Sequence, residues 1–141
     1  MIHDRRVVPF KLWHHRFISD TFEPGASEIL VGQLKSLENS DSWTAVVDGV
    51  PVACLGTHEL WPGRYQGWGY IGMKAHRHMK WITLECIRHL SGKKGRVEFT
   101  VRADFDCGLR WAQRLGFIVE TPLMKNYGPF GEDHVGFVRI T

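Results

Sequence analysis

The stretch Gly69–Leu90, GYIGMKAHRHMKWITLECIRHL, most constrains what this chain can fold into. An apolar, aromatic run, Trp68–Met73, reads as a buried strand. A short basic loop, Lys74–Lys80, follows and leads into a helix. Met79, Ile82, Thr83, Cys86, Ile87 and Leu90 recur at helical spacing and therefore share one face. Beyond the helix, Val97–Arg102 alternates as a further strand, so strand, helix and strand make a crossover with parallel strands. A strand that passes through a cationic loop into a helix start is suited to an anion. The first helical N–H groups lack partners, the helix dipole is positive there, and Lys74, Arg77 and Lys80 add full charges. The pattern predicts a phosphate-bearing ligand at this junction; the plainer alternative is a solvated basic connection.

The elements before and after this unit limit the fold further. A first strand is expected at Arg6–Phe10, with Pro9 confining it to an edge or a strand end. Leu12–Ser19 reads as a short helix, on which the adjacent His14 and His15 point to different faces and make no metal site. Phe22–Ala26 is a loop, and Ser27 caps a helix over Glu28–Leu37. Trp43–Gly56 is a β-hairpin turning on Asp48-Gly49, a dipeptide suited to a type I′ turn, with Pro51 facing away from the partner strand or marking a bulge. Thr57–Gly67, with Pro62 and its glycines, reads as a loop carrying His58, Glu59 and Tyr65. Asp104 or Asp106 is expected to cap a helix over Cys107–Leu115 that ends at Gly116. A strand at Phe117–Glu120, a loop from Pro122 to Glu132 and a last strand at His134–Ile140 complete the order β-α-α-β-β-β-α-β-α-β-β. This is an α/β class with a mixed, mostly antiparallel central sheet and about four helices. No GxGxxG or Walker A motif is present, which excludes a doubly wound nucleotide fold.

At 141 residues with 43% hydrophobic and 23% charged residues, the chain is expected to form one domain over 1–141 with its own core. Ile82, Cys86, Ile87 and Leu90 are the expected core face of the helix. No apolar run reaches membrane-spanning length, and the first residues form no hydrophobic signal core, so a cytoplasmic protein is expected. Three widely spaced cysteines fit reduced thiols, and Cys107, beside Asp104 and Asp106, reads as a buried inert thiol. The net charge of +3 is too small to argue for nucleic acid, and the basic stretches Lys74–Lys80 and Lys93, Lys94 and Arg96 come with no recognition helix. His76-x-His78 lacks further ligands, so no metal is expected.

The order of elements, the Asp48-Gly49 hairpin and the segment RWAQRLGF (Arg110–Phe117) resemble the GNAT superfamily of CoA-dependent N-acyltransferases. Arg114–Phe117, RLGF, is similar to that family's helix-ending "yeklGF". The resemblance implies a central strand splayed near Gly69–Met73 and acetyl-CoA as co-substrate. Tyr70, Ile71, Gly72 and Met73 match the strand whose backbone pairs with the pantetheine arm. His78, Met79, Lys80, Trp81, Ile82 and Thr83 occupy the slots of the pyrophosphate loop, commonly R/Q-x-x-G-x-G/A, with Arg77 beside them. In those slots His78 replaces Arg or Gln, Trp81 a glycine, and Thr83 the second small residue. Ala112 falls where many members carry the tyrosine that protonates the departing thiolate.

Acyl transfer needs a base, an oxyanion contact and an acid. Glu59 or His58 is the expected base, the N–H groups near Gly72 and Met73 the oxyanion contact, and Tyr127 a replacement acid. Similar loop degeneracy occurs in GNAT-like proteins of tailed phages, including an internal virion protein, which the chain resembles. The implied function is N-acetylation of an amine on a protein or small molecule by a phage-encoded enzyme in the host cytoplasm. The alternative is a catalytically inactive GNAT-fold phage effector or virion component that binds a host or phage protein. Its six tryptophans and two basic clusters would suit a contact surface, with core packing taking most of the tryptophans.

Overall fold

A computed structural model describes residues 2–18 and 35–141. Seven strands, β1 (Arg5–Pro9), β2 (Asp41–Val47), β3 (Val50–Trp61), β4 (Arg64–Ile71), β5 (Arg96–Arg102), β6 (Ile118–Met124) and β7 (His134–Ile140), form one sheet in the order β1-β2-β3-β4-β5-β7-β6. The α-helices α1 (Met79–Ser91) and α2 (Asp106–Arg114) and the 3₁₀ helices Leu12–Phe17 and Met73–His78 accompany it among the described residues. β4 and β5 pair in parallel over Arg64–Gln66 and Arg96–Glu98, as the crossover requires, while β1–β2, β2–β3, β5–β7 and β6–β7 are antiparallel. The expected loop Phe22–Ala26 and the helix cap at Ser27 lie outside the described residues. So does the helix Glu28–Leu37, except for its end, where 35–37 is helical.

The chain divides into two compact units, one of residues up to His58 with Trp68–Leu84, the other of Glu59–Gly67 with Glu85–Thr141. In the first, the hairpin turns on Asp48 and Gly49 at φ 49° and 80°, the type I′ pair, and the register shifts between Ala45 and Val46, opposite Pro51 and Ala53. The buried residues Phe10, Ile18 and Cys54 pack with Leu37, Trp68 and Tyr70, and the Phe10 and Trp68 rings meet edge-on at 5.1 Å. His14 is buried beside them: its Nδ1 accepts the Lys11 N–H at 3.1 Å and lies 2.8 Å from the Thr44 hydroxyl. Burial lowers the pKa of both His14 and His15.

In the second unit Val97, Ala112, Leu115, Phe117, Phe137 and Val138 are buried, and Phe99 meets Phe117 edge-on at 4.7 Å. Arg64 donates to Glu98 at 3.0 and 2.5 Å, and Arg96 pairs with both Glu98 and Glu120. These contacts lower the Glu98 pKa despite its desolvation and fasten the start of β4 to β5.

Several expectations are corrected. Thr57–Gly67 is not a loop: β3 runs to Trp61, Pro62-Gly63 makes a tight turn with Gly63 at φ 90°, and β4 begins at Arg64 rather than at Trp68. Proline at the first and glycine at the second central position set a two-residue reversal, so both breakers serve one turn. β6 continues through Pro122 to Met124, since an edge strand tolerates a missing N–H, with register shifts around Thr121. α2 starts from Phe105 with no side-chain cap, Asp106 lies in its first turn, and Asp104 pairs with Arg102 at 3.1 Å. Cys107, in that exposed first turn, is exposed rather than buried, whereas burial pushes the thiols of Cys54 and Cys86 up to about 12. Only Trp43 of the six tryptophans is buried, and Trp13 and Trp61 are exposed.

Candidate functional site

The candidate site expected from the sequence lies at the end of β4. After Ile71 the chain passes through Gly72, in extended backbone at φ −79° and ψ 161°, whose N–H donates to the Val52 carbonyl on β3 at 2.9 Å. The 3₁₀ helix then starts at Met73, with the Ala75 N–H donating to Gly72 at 3.0 Å, and runs on into α1 through Met79. The expected basic loop is thus already helical, and the start of the helical run lies at Met73 rather than near Met79–Thr83. Ala75 and His78, three residues apart, are the buried positions of this run, and three is the 3₁₀ repeat. Burying that pair turns Lys74, His76 and Arg77 outwards, and Lys80 follows on the exposed side of α1. No acidic residue stands in the first turn of either helix, so the three strong cations Lys74, Arg77 and Lys80 face no carboxylate there.

The remaining expected residues have specific placements. Ile82 is completely buried, main chain included, so it presents no surface to a ligand. Thr83 donates its hydroxyl to the Met79 carbonyl at 2.6 Å, closing on its own helix. Trp81 is half-buried, and the Arg5 guanidinium carbon lies 5.9 Å from its ring centroid, within cation–π range. His78 is only 5% exposed. Its Nδ1 accepts the Arg5 Nε–H at 3.1 Å, and the His3 ring meets it edge-on at 4.9 Å. Desolvation first, then Arg5 and His3, lower its pKa; Arg77 adds slightly and Asp48 opposes.

His58 and Glu59 are adjacent and exposed on β3, not on a loop; His58 belongs to the first unit and Glu59 to the second. Tyr127 is exposed between β6 and β7 in the second unit, with its ring 5.2 Å from that of His134. Ile71 to Thr83 are therefore brought together in one unit, while Glu59 and Tyr127 are placed in the other. Ala112 is buried in α2. Sequence reasoning missed Arg5, His3 and Asp48 as neighbours of the His78 position. They arrive through the pairing of β1 with β2, and no local spacing signals them. Among the described residues no three His, Cys, Asp or Glu side chains group as a metal site, and no helix is long and apolar enough to cross a membrane.

No protein-family model matches the chain, and no curated protein matches it in sequence. Solved structures match it in fold. Ard1 from Thermoplasma volcanium superposes with a TM-score of 0.76 at 13% identity, covering 97% of each chain. An acetyltransferase of the GNAT family from Bacillus anthracis gives 0.69 at 12% identity, covering 96% of this chain and 94% of its own. A chain of the NatC complex bound to Gag peptide and CoA gives 0.68 at 12% identity, covering 98% and 99%. At these identities the likeness is one of architecture: among the described residues, the seven-stranded, mostly antiparallel sheet with the parallel β4–β5 pair and its crossover helix has the GNAT fold.

Proposed function

We propose that the protein is an acyl-CoA-dependent N-acetyltransferase acting on an amine of a protein or small molecule. The observation that carries this reading is the likeness in fold, over nearly the whole chain, to acetyltransferases, one of them bound to CoA. The residues at the end of β4 fit a phosphate-bearing thioester. Lys74, Arg77 and Lys80 supply charge at the start of a helical run, and the strand end at Ile71 offers main chain to the pantetheine arm.

In the proposed reaction the acceptor nitrogen attacks the thioester carbonyl while Glu59 or His58 takes its proton, directly or through water. The Met73 N–H holds the oxyanion, because the Gly72 N–H is already given to Val52. Tyr127 returns a proton to the departing sulfur. Met79, Lys80 and Trp81 border the phosphates, and His78, Ile82 and Thr83 shape the run from within. The loop's departures at Trp81 and Thr83 also support a phage-encoded origin, with action in the host cytoplasm.

One observation favours a second reading. A helical run occupies the segment matched to the pyrophosphate loop, and Trp81 replaces its glycine. In that reading the fold is kept, turnover is lost, and the protein acts by binding a host or phage protein. Thiol release from acetyl-CoA against a panel of amines separates the two. The wild type is expected to release thiol, and loss of the base by Glu59→Gln or His58→Ala is expected to lower kcat by about 10²-fold or more. Lys80→Ala is expected to raise KM for acetyl-CoA by about three- to tenfold and to flatten its salt dependence, as a partly screened charge contact should. Acetyl-CoA binding without thiol release for any amine would select the second reading.

A further inference from the structure

We propose that Arg5 and His78 form a pH-sensitive latch, in which a neutral His78 holds the N-terminal strand β1 against the helical run that begins at Met73. The geometry sets the requirement. The Arg5 Nε–H donates to His78 Nδ1 at 3.1 Å, so that nitrogen must carry a lone pair and the ring proton must sit on Nε2. A proton on Nδ1 would set two cationic donors face to face with no acceptor between them, beneath a surface that leaves His78 5% exposed. Every charged or titratable group facing the ring bears on this. Arg5 and His3 from the N-terminal segment and Arg77 from the run itself oppose a further positive charge, while Asp48, from the β2–β3 turn, favours one. Asp48 is engaged elsewhere, with His3 Nδ1 at 2.8 Å and the Asp4 N–H at 2.8 Å.

The held element is one that can open by itself. β1 is the first strand in the sheet order, pairs only with β2 among the described strands, and is exposed at four of its five residues. Releasing Arg5 also withdraws its guanidinium from the Trp81 ring, so the latch joins β1 to both ends of the His78–Trp81 segment. The sign follows. An open His78 takes a proton at its ordinary value near 6.5, whereas the closed ring resists it, so closure weakens as pH falls below that value. Because the same run carries Lys74, Arg77 and Lys80, opening would also loosen the proposed CoA contact. That consequence rests on the proposed function; the latch does not.

Nitrogen-15 NMR and amide exchange on the whole chain test it without any ligand. At about pH 7.5 the His78 Nδ1 is expected to be unprotonated. Protection of β1 amides, corrected for intrinsic exchange and compared with β2–β3 amides, is expected to fall about tenfold on going to about pH 5.5. His78→Gln retains an acceptor for Arg5 and cannot titrate, so its β1 protection should stay constant across that range. Should that variant fail to fold, Arg5→Met in the wild-type background serves instead: the His78 titration should move up towards its ordinary value and the pH response of β1 should vanish. A proton on Nδ1 at about pH 7.5, a β1 protection indifferent to pH, or an unchanged response in the variant that folds would each overturn the latch.

Discussion

Replacing Ile82 with alanine is expected to lower stability by about 2–5 kcal/mol, read as a fall in the denaturant midpoint with an unchanged slope. Ile82 is completely buried on α1, in line with Cys86 and Leu90 at successive steps of four. Removing three carbons there loses their transfer free energy and leaves a cavity that a close-packed interior cannot fill without moving. Ile87 makes the internal comparison. It was expected on the same face, yet it is 41% exposed, because the buried stripe of this helix is narrower than its apolar pattern and Ile87 falls at its border. Ile87→Ala is therefore expected to cost about 1 kcal/mol or less. Equal losses for the two variants would mean that the helix is turned differently on its axis.

Gly95→Ala is expected to cost about 3 kcal/mol or more, by backbone strain and collision rather than by lost burial. Gly95 has φ 105°, a region that side chains rarely adopt. An added Cβ would also press on the carbonyl oxygen of Gly63 and come within 3.0 Å of its carbonyl carbon. Neither chain can yield cheaply. The Gly63 carbonyl accepts the Arg96 N–H at 2.8 Å, and Gly95 exchanges two bonds of 3.0 Å with Thr141. The substitution thus strikes the turn before β4, the start of β5 and the chain end together. A midpoint within error of the wild type would show that this close approach does not exist in solution.

Much of the fold was legible because its signals are local. Asp48-Gly49 permits little but a type I′ hairpin, the apolar repeat from Met79 to Leu90 is helical, and Gly116 at φ 93° closes α2 where a glycine was expected to. The errors arose where one residue type serves two structures. Pro62 and Gly63 read as loop markers, but together they make a tight turn that leaves Thr57–Trp61 and Arg64–Gly67 free to extend. The basic residues from Lys74 to His78 read as a loop because no apolar stripe runs through them; the 3₁₀ turn they form needs only Ala75 and His78 inside. The candidate site was half legible. Its cations and the end of β4 are contiguous in sequence. The burial of His78 depends on Arg5, 73 residues away, and the loss of the Gly72 N–H depends on Val52, which no spacing within the motif encodes.

Isothermal titration of acetyl-CoA into the wild-type chain at low salt tests the central claim most directly. One site is expected, with Kd between about 1 μM and 1 mM, the range typical of enzyme substrates. Affinity should fall as salt is raised, because Lys74, Arg77 and Lys80 are exposed and their attraction is screened. Saturable binding that Lys80→Ala weakens is the result predicted. No binding at low salt, or binding indifferent to both salt and Lys80, would contradict a CoA site at the end of β4.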